Sequence, residues 1–303
     1  MSHNNVETPL THHDIRPMLA HKFEDASPTK REPPFFVQPK YDGIRAIWYQ
    51  DKLWSRPHIG PSHKILGVPQ VMKELQTYFS GVSLDGELYE HGKGATFERT
   101  SGLARRKVNI EKNRLQYWVF DIYSPDSYTS FEKRWFKLLN IFRQLIRDAF
   151  IPRWVKLSNC EVVACSREML DQRMAEIRGQ ALAQGYEGII LRRPEADYQG
   201  KRTWDLLKYK WWQDIEVKAI GFVEGKGKFQ GMLGSIQYQM RDGKQGFCGS
   251  GMKLNDGTST LDDAVRLKIW THTRSYISLS FTLCFQELTA NGIPRFPKFK
   301  GWR

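Results

Sequence analysis

Apolar and aromatic side chains along this chain are grouped in short runs, broken by glycine-rich and charged segments. Residues 35–38, Phe-Phe-Val-Gln, and 44–49, Ile-Arg-Ala-Ile-Trp-Tyr, predict two strands, being rich in β-branched and aromatic residues. Between them stands Lys40-Tyr41-Asp42-Gly43, whose glycine marks a turn or a close backbone approach. Residues 82–91, Val-Ser-Leu-Asp-Gly-Glu-Leu-Tyr-Glu-His, read as a strand–turn–strand unit, with Asp85 shaping the turn. Residues 115–123, Leu-Gln-Tyr-Trp-Val-Phe-Asp-Ile-Tyr, predict a long aromatic strand on which Asp121 faces away from Phe120. The period then changes. Trp135, Leu138, Leu139, Phe142, Leu145 and Ile146 recur at threes and fours, so 131–150 predicts an amphipathic helix. A second helix is expected from Arg167 to Gln184, with Ser166 as N-cap and Gly185 as stop. Strands follow at 186–193 and 206–210.

Beyond Trp212 the pattern shifts to short strands alternating with glycine turns, for example Val-Lys-Ala-Ile-Gly-Phe-Val at 217–223 and Ser-Ile-Gln-Tyr-Gln-Met at 235–240. Strands of this length and spacing suggest a small barrel of about five strands. The expected organisation is a mixed α/β body over 1–212, whose residues 1–30 form a polar extension, and an all-β domain over 213–303.

Composition narrows the function classes. The 303 residues are 40% hydrophobic and 13% aromatic, enough for a sizeable core and unlike a disordered chain. The net charge of +13 points to a polyanionic partner, nucleic acid or an anionic membrane. No apolar run approaches the length of a membrane span, and the polar N-terminal residues have no signal-peptide core, so a cytoplasmic protein without a membrane partner is expected. Cys160, Cys165, Cys248 and Cys284 show no metal-ligand spacing. The pair His12-His13 has no further ligand at useful spacing.

Several charged residues fall at predicted strand ends: Lys40, Asp42, Arg45, Arg56, Glu87, Glu187, Lys208 and Lys210. Metal-assisted chemistry on a phosphate needs such a mixture, cations for phosphate oxygens and carboxylates for a divalent ion. A lysine can itself be the nucleophile where neighbours favour its neutral amine. Lys208 and Lys210 alternate on a strand and share one side, while Tyr209 points the other way. Taken singly, each is more simply a solvated surface charge; together they make a candidate phosphoryl or nucleotidyl transfer site.

The wording of these segments goes further. Gln38-Pro39-Lys40-Tyr41-Asp42-Gly43-Ile44-Arg45 resembles the KxDGxR element of the covalent nucleotidyltransferases, which comprise DNA ligases, RNA ligases and capping enzymes. It is followed in order by Ser55-Arg56, Leu84-Asp85-Gly86-Glu87-Leu88, Trp118-Val119-Phe120-Asp121, Tyr186-Glu187-Gly188-Ile189-Ile190 and Leu206-Leu207-Lys208-Tyr209-Lys210, which resemble that superfamily's remaining motifs. Residues 224–235, Glu-Gly-Lys-Gly-Lys-Phe-Gln-Gly-Met-Leu-Gly-Ser, are similar to the OB-fold domain of ATP-dependent DNA ligases, and the likeness covers residues 35–303. It implies an adenylation domain of α/β (α+β) class with antiparallel sheets, followed by a small all-β OB-fold barrel.

The resemblance also implies roles. Lys40 matches the lysine that takes AMP from ATP, and Gln38 stands where the family contacts the adenine edge. Asp42 matches a carboxylate near the reacting 3′-OH. Arg45 and Arg56 match arginines that hold nucleotide and the 5′-phosphate. Glu87 matches the glutamate on the ribose, here also counted with Glu187 as a metal ligand for Mg²⁺ or Mn²⁺. Phe120 matches the ring stacked on adenine, and Lys208 and Lys210 the pair on the α-phosphate. Lys226, Lys228 and Lys253 are candidates for DNA phosphates. Arg295 and Arg303 belong to a segment similar to the final ligase motif, which orients the pyrophosphate leaving group. The implied partner is nicked duplex DNA, bound by a monomer in a bacterial or phage-infected cell. The rival readings are an RNA ligase or capping-type enzyme and a nick-binding protein without turnover. The pattern departs from larger ligases in three ways: no helical domain precedes Lys40, 220–238 leaves little room for a clamp insertion, and the last motif stops at Arg303.

Overall fold

A computed structural model describes residues 15–56, 63–91, 97–104, 114–125, 127–254, 257–289 and 291–303. The His12-His13 pair lies outside them. The chain divides into two compact units, Met1–Tyr209 and Lys210–Arg303.

The first unit is built on two five-stranded sheets. One orders β1 (Leu19–Lys22), β10 (Arg202–Lys210), β9 (Gly188–Arg192), β2 (Phe35–Lys40) and β8 (Glu161–Val163). The other orders β4 (Lys52–Ser55), β3 (Ile44–Tyr49), β5 (Leu84–Tyr89), β6 (Gln116–Ile122) and β7 (Val155–Leu157). Most of the described pairings are antiparallel; β1 on β10 and β7 on β6 are parallel. The expected turn inside 82–91 is absent. Asp85 and Gly86 lie within the single strand β5, because Asp85 finds buried partners there instead of capping a turn.

Helices α1 (Pro69–Tyr78) and α3 (Phe131–Arg147) cover one face of the second sheet, and Val71, Leu75, Trp135, Leu138 and Phe142 join Ala46, Leu88, Tyr117 and Val119 in its core. The Ser130 hydroxyl accepts from the Lys133 amide and caps α3. The predicted stripe of α3 holds through Leu145, which is partly buried against the core, but Ile146 is 61% exposed. Helix α2 (Phe97–Ala104) adjoins β3 and β5. Helix α4 (Arg167–Ala183) packs Leu170, Met174, Ile177 and Ala181 inward, and Gly185, at φ +74°, takes the left-handed turn that ends it. No side chain caps its N-terminus at Ser166.

In the second unit, β11 (Gln213–Glu224), β12 (Leu233–Gln239), β13 (Gln245–Cys248), β14 (Ser250–Gly251), β15 (Ser280–Phe285) and β18 (Lys298–Trp302) form one sheet in the order β13-β12-β11-β15-β18-β14. A two-stranded hairpin, β16 (Glu287–Leu288) with β17 (Pro294–Arg295), stands beside it in sequence. The segment 224–231 leaves β11 as one turn of 3-10 helix, Gly227–Phe229, rather than a strand. The unit is not wholly β: helix α5 (Asp263–Thr271) starts where Asp262 accepts from the Val265 amide at 2.8 Å and plugs Ile269 into the core of Leu233, Tyr238, Phe281 and Phe299.

Candidate active site

Lys40 ends β2, opposite Gly188 of β9, so the residue before that glycine, Glu187, comes to its side. The Lys40 amine donates to Glu187, and the Glu187 amide donates to the Lys40 carbonyl at 3.2 Å. The pair is mostly shielded, the two side chains being 21% and 7% exposed. The chain then turns through Asp42 and Gly43 into β3. A Cβ on Gly43 would stand 2.2 Å from the Leu88 carbonyl and 2.8 Å from Glu87 Cγ, so glycine alone lets the turn lie against β5. That contact sets the Lys40 segment beside Glu87.

Across the second sheet Arg45 pairs with Glu87, and Glu87 with Trp118, one row on one face. Burial pushes the Glu87 carboxyl up to about 7, against the pull of Arg45 and Lys40, and the charge of Glu187 adds to the rise. Arg45 is bound bidentately: Nε and Nη2 each stand 2.5 Å from an oxygen of Asp85, and Nη2 also reaches the Met18 carbonyl at 3.2 Å. Tyr198 donates to Asp85 at 2.5 Å. Burial works against the Arg45 charge, but Asp85 overcomes it and holds the guanidinium firmly protonated.

Phe120 is 8% exposed, with the Arg45 guanidinium 4.7 Å and that of Arg192 5.3 Å from its ring centre. Its surroundings correct the expectation for Asp121. Asp85 pairs with Asp121 but Gly86 with Val119, so Phe120 is the extra residue of a β-bulge. A bulge breaks the alternation of sides, and Asp121 does not turn away. It is fully buried beside Phe120 and accepts from Arg134 at 2.8 and 3.1 Å and from Arg192 at 3.0 Å.

Gln38 lies in the same buried network. It is 1% exposed and both ends of its amide are used, accepting from Arg192 Nε at 2.7 Å and donating to the Phe120 carbonyl at 3.0 Å. It braces the Phe120 strand from within. Arg45 is similarly committed, with Nη1 alone left uncommitted among the described contacts, so it stiffens the wall at Phe120 more than it reaches for phosphate. Arg192, Asp121, Arg134, Asp85 and Tyr198 are the members the sequence reading missed. Arginine and aspartate set within apolar strands and helix α3 were the available signal, since such charges persist inside only when paired.

The remaining candidates are placed as follows. Asp42 is half-buried in the turn, close enough to raise the Tyr89 hydroxyl, which burial chiefly pushes up to about 12. Arg56 is exposed at the end of β4. Lys208 and Lys210 both lie half-buried on β10, and Lys210 donates to Gln286 at 3.2 Å. Lys226, Lys228 and Lys253 are exposed on the second unit, Lys228 lying 4.5 Å from the Phe229 ring centre. Arg303 pairs with Glu216 at 3.2 Å, and the Arg295 guanidinium lies 5.0 Å from the Phe296 ring. No helix among the described residues is long and apolar enough to cross a membrane.

A lysine held against a carboxylate, with a second carboxylate and a braced ring on the facing sheet, is the equipment of a nucleotidyltransferase. The model of the ATP dependent DNA ligase domain matches residues 17–210, and that of the DNA ligase OB-like domain residues 224–303. The chain belongs to the ATP-dependent DNA ligase family. It is an enzyme with DNA as its substrate and ATP as its AMP donor, and its fold is a nucleotidyltransferase domain plus an OB-fold domain. The DNA ligase of Haemophilus influenzae is 24% identical over 264 residues, 87% of this chain and 84% of that one. African swine fever virus DNA ligase is 29% identical over 236 residues, and the match spans only 52% of its length. Among solved structures, a Lig E DNA ligase described as binding DNA with a minimal scaffold superposes with a TM-score of 0.69 at 25% identity, covering 95% of this chain and 98% of that one. The bacteriophage T7 ligase in complex with ATP shares the fold, with a TM-score of 0.52 at 20% identity over 97% of this chain and all of that one.

Proposed function

We propose that the protein seals nicks in duplex DNA through AMP carried on Lys40, as a monomer in the cytoplasm. The observation that carries this reading is the Lys40–Glu187 pair, set against Glu87 by the turn that only glycine permits at position 43. In step one the Lys40 amine attacks the α-phosphorus of ATP, the bond to pyrophosphate breaks, and a phosphoramidate forms. In step two an oxygen of the nick's 5′-phosphate displaces Lys40 and takes AMP. In step three the 3′-OH attacks the phosphorus of the nick's 5′-phosphate, the bond to AMP breaks, and the strand is closed as AMP leaves. Lys40 is held as a donor to Glu187, so attack requires that contact to break. Asp42, at the turn, is the carboxylate nearest in sequence to the nucleophile and is assigned to the 3′-OH. Arg56 is assigned to the 5′-phosphate, and Lys208 and Lys210 to the α-phosphate, where fixed cations stabilise charge developing in the transition state.

Among the described residues no cluster of three or more His, Cys, Asp or Glu stands ready for a metal. Glu187 and Glu87, two carboxylates within reach of each other's charge, nevertheless fit Mg²⁺ or Mn²⁺, which takes one or two carboxylates and completes its shell with substrate phosphates and water. When bound, the ion would neutralise charge on the phosphate oxygens.

The test is a labelled-ATP assay followed by a nicked duplex with ATP, NAD⁺ or no nucleotide. Wild type should form an acid-labile, base-stable adduct and seal with ATP only, and Lys40→Ala should form none. An undiminished adduct on Lys40→Ala would remove the central claim; an adduct from GTP rather than ATP would favour the capping reading.

A further inference from the structure

We propose that the stacked rings of His21 and Trp204, with the cations around them, form a contact surface for the DNA backbone beside the nick. The pair is a product of an irregular strand edge. Parallel strands β1 and β10 pair Ala20 with Thr203 and then His21 with Leu207, so residues 204–206 stand out of register. Trp204 thereby folds over its neighbour strand, its ring 3.6 Å from that of His21 and within 6° of parallel. The indole is 38% exposed although a sheet core lies beneath it, where Leu206 and Leu207 are buried. Burial, Arg202 and Lys208 push the His21 imidazole down against the opposing pull of Asp25, which favours the uncharged ring that stacks on the indole.

The ground around the stacked pair is basic. Arg16, Lys22, Lys201 and Arg202 are exposed, and Lys208 is half-buried next to Lys22 in the strand register. The acids close by are Glu24, Asp25, which lies 4.0 Å from Lys22, and Asp205, which pairs with Lys30 at 2.8 Å, and they offset only part of that charge. Lys201 is tied in by its carbonyl, which accepts from the Leu19 amide at 2.9 Å, and Arg202 by its guanidinium, which donates to the Ala20 carbonyl. Flat apolar rings among cations suit a nucleic-acid backbone. Lysine and arginine take the phosphates, and an indole face packs on a deoxyribose or an end base without reading sequence. DNA, the substrate of this family, is therefore the occupant to which the surface commits. The assignment rests on the nick-sealing reading only for its choice of probe.

The experiment compares wild type, Trp204→Ala and Trp204→Phe in two assays: affinity for a fluorescent nicked duplex without ATP or metal, and adduct formation from labelled ATP without DNA. Trp204→Ala should weaken duplex binding about tenfold, within the range found for loss of one stacking ring. Trp204→Phe should keep most of the affinity, and adduct formation should stay within about twofold in both. Unchanged affinity in Trp204→Ala, phenylalanine as weak as alanine, or an equal loss in both assays would overturn the proposal. Failure of wild type to form an adduct would strike the nick-sealing reading instead. Because the substitution could unfold the strand edge, wild type is also footprinted with hydroxyl radicals. Nicked duplex should protect Trp204 from oxidation, and undiminished oxidation would equally overturn it.

Discussion

Glu87 concentrates what single residues contribute here. Its carboxyl is raised to about 7 from the ordinary 4.5, first by burial and then by neighbouring carboxylates, so the folded chain binds a proton more tightly than the unfolded one. By linkage, this group stabilises the fold most below about pH 4.5, and that contribution is lost as pH rises through 7. Above about pH 7 the ligand-free protein therefore bears a buried charged carboxylate at a cost. Glu87→Gln removes the charge and keeps the shape. It should raise the melting temperature of the ligand-free protein at pH 8 by several degrees, with little effect at pH 5, while adduct formation at pH 8 falls at least tenfold. A melting difference that is flat between pH 5 and 8, or larger at pH 5, would show that Glu87 is not the strained group. Lys40, Glu187 and Glu87 were legible in sequence because their neighbours Asp42, Gly43 and Gly188 fix local backbone as well as chemistry. The partners of Gln38 and Arg45 were not legible, because a motif gives position but not partners. Arg192 and Asp85, which take up their polar groups, lie 154 and 40 residues away.

At the scale of elements, what could be read depended on periodicity. Helices α3 and α4 and strands β2, β3, β6 and β9 repeat their apolar positions often enough to be seen. Helix α1 has only Val71 and Leu75 buried, and α5 only Arg266 and Ile269, so their stripes are too short; the signals available were Pro69 at the first turn and Asp262 at the cap. The bulge at Phe120 has no sequence signature, yet it decides where Asp121 goes. The turn between β2 and β3 makes the sharpest prediction at this scale. Gly43→Ala places a methyl against the Leu88 carbonyl, a backbone atom that cannot rotate away, and against Glu87 Cγ. Overpacking of this kind costs about 1–3 kcal/mol. The turn should also shift by a few tenths of an ångström or more, and displacements approaching 1 Å cost about a hundredfold in rate. Gly43→Ala should therefore remain folded by circular dichroism with a lower melting temperature, and form adduct about a hundredfold more slowly. Wild-type rates in a folded Gly43→Ala protein would mean that the turn's approach to β5 does not set the nucleophile.

For the whole molecule, a net charge of +13 meets a polyanion, and each phosphate neutralised releases bound counterions. Nick affinity should fall with salt by close to one logarithmic unit per logarithm of salt for each contact, and Lys226→Ala, Lys228→Ala or Lys253→Ala should each lower that slope by about one. A flat salt dependence would exclude these lysines as phosphate ligands. The C-terminal strand carries charge for another purpose. In it Phe299 is 2% exposed and Trp302 packs at 5.5 Å on Phe281, so β18 is part of the core and truncation would open the barrel. The cations Arg295, in β17, and Arg303, just after β18, flank it. Arg303 shares with Glu216 an ion pair in which the side chains are 60% and 49% exposed, the kind worth at most about 1 kcal/mol. Arg303 can therefore exchange its present partner for a phosphate oxygen at small cost. Arg295 lies over the exposed ring of Phe296. If both orient pyrophosphate, they matter only in step one, because pyrophosphate leaves only there. The double variant Arg295→Ala with Arg303→Ala, which keeps every core ring, should lose adduct formation by at least tenfold. It should still join a nick that already carries 5′-AMP at close to the wild-type rate, since that step needs neither ATP nor a pyrophosphate leaving group. Both activities are measured on one preparation, with circular dichroism confirming the fold, and equal loss of the two would assign these arginines to DNA or to stability rather than to the leaving group.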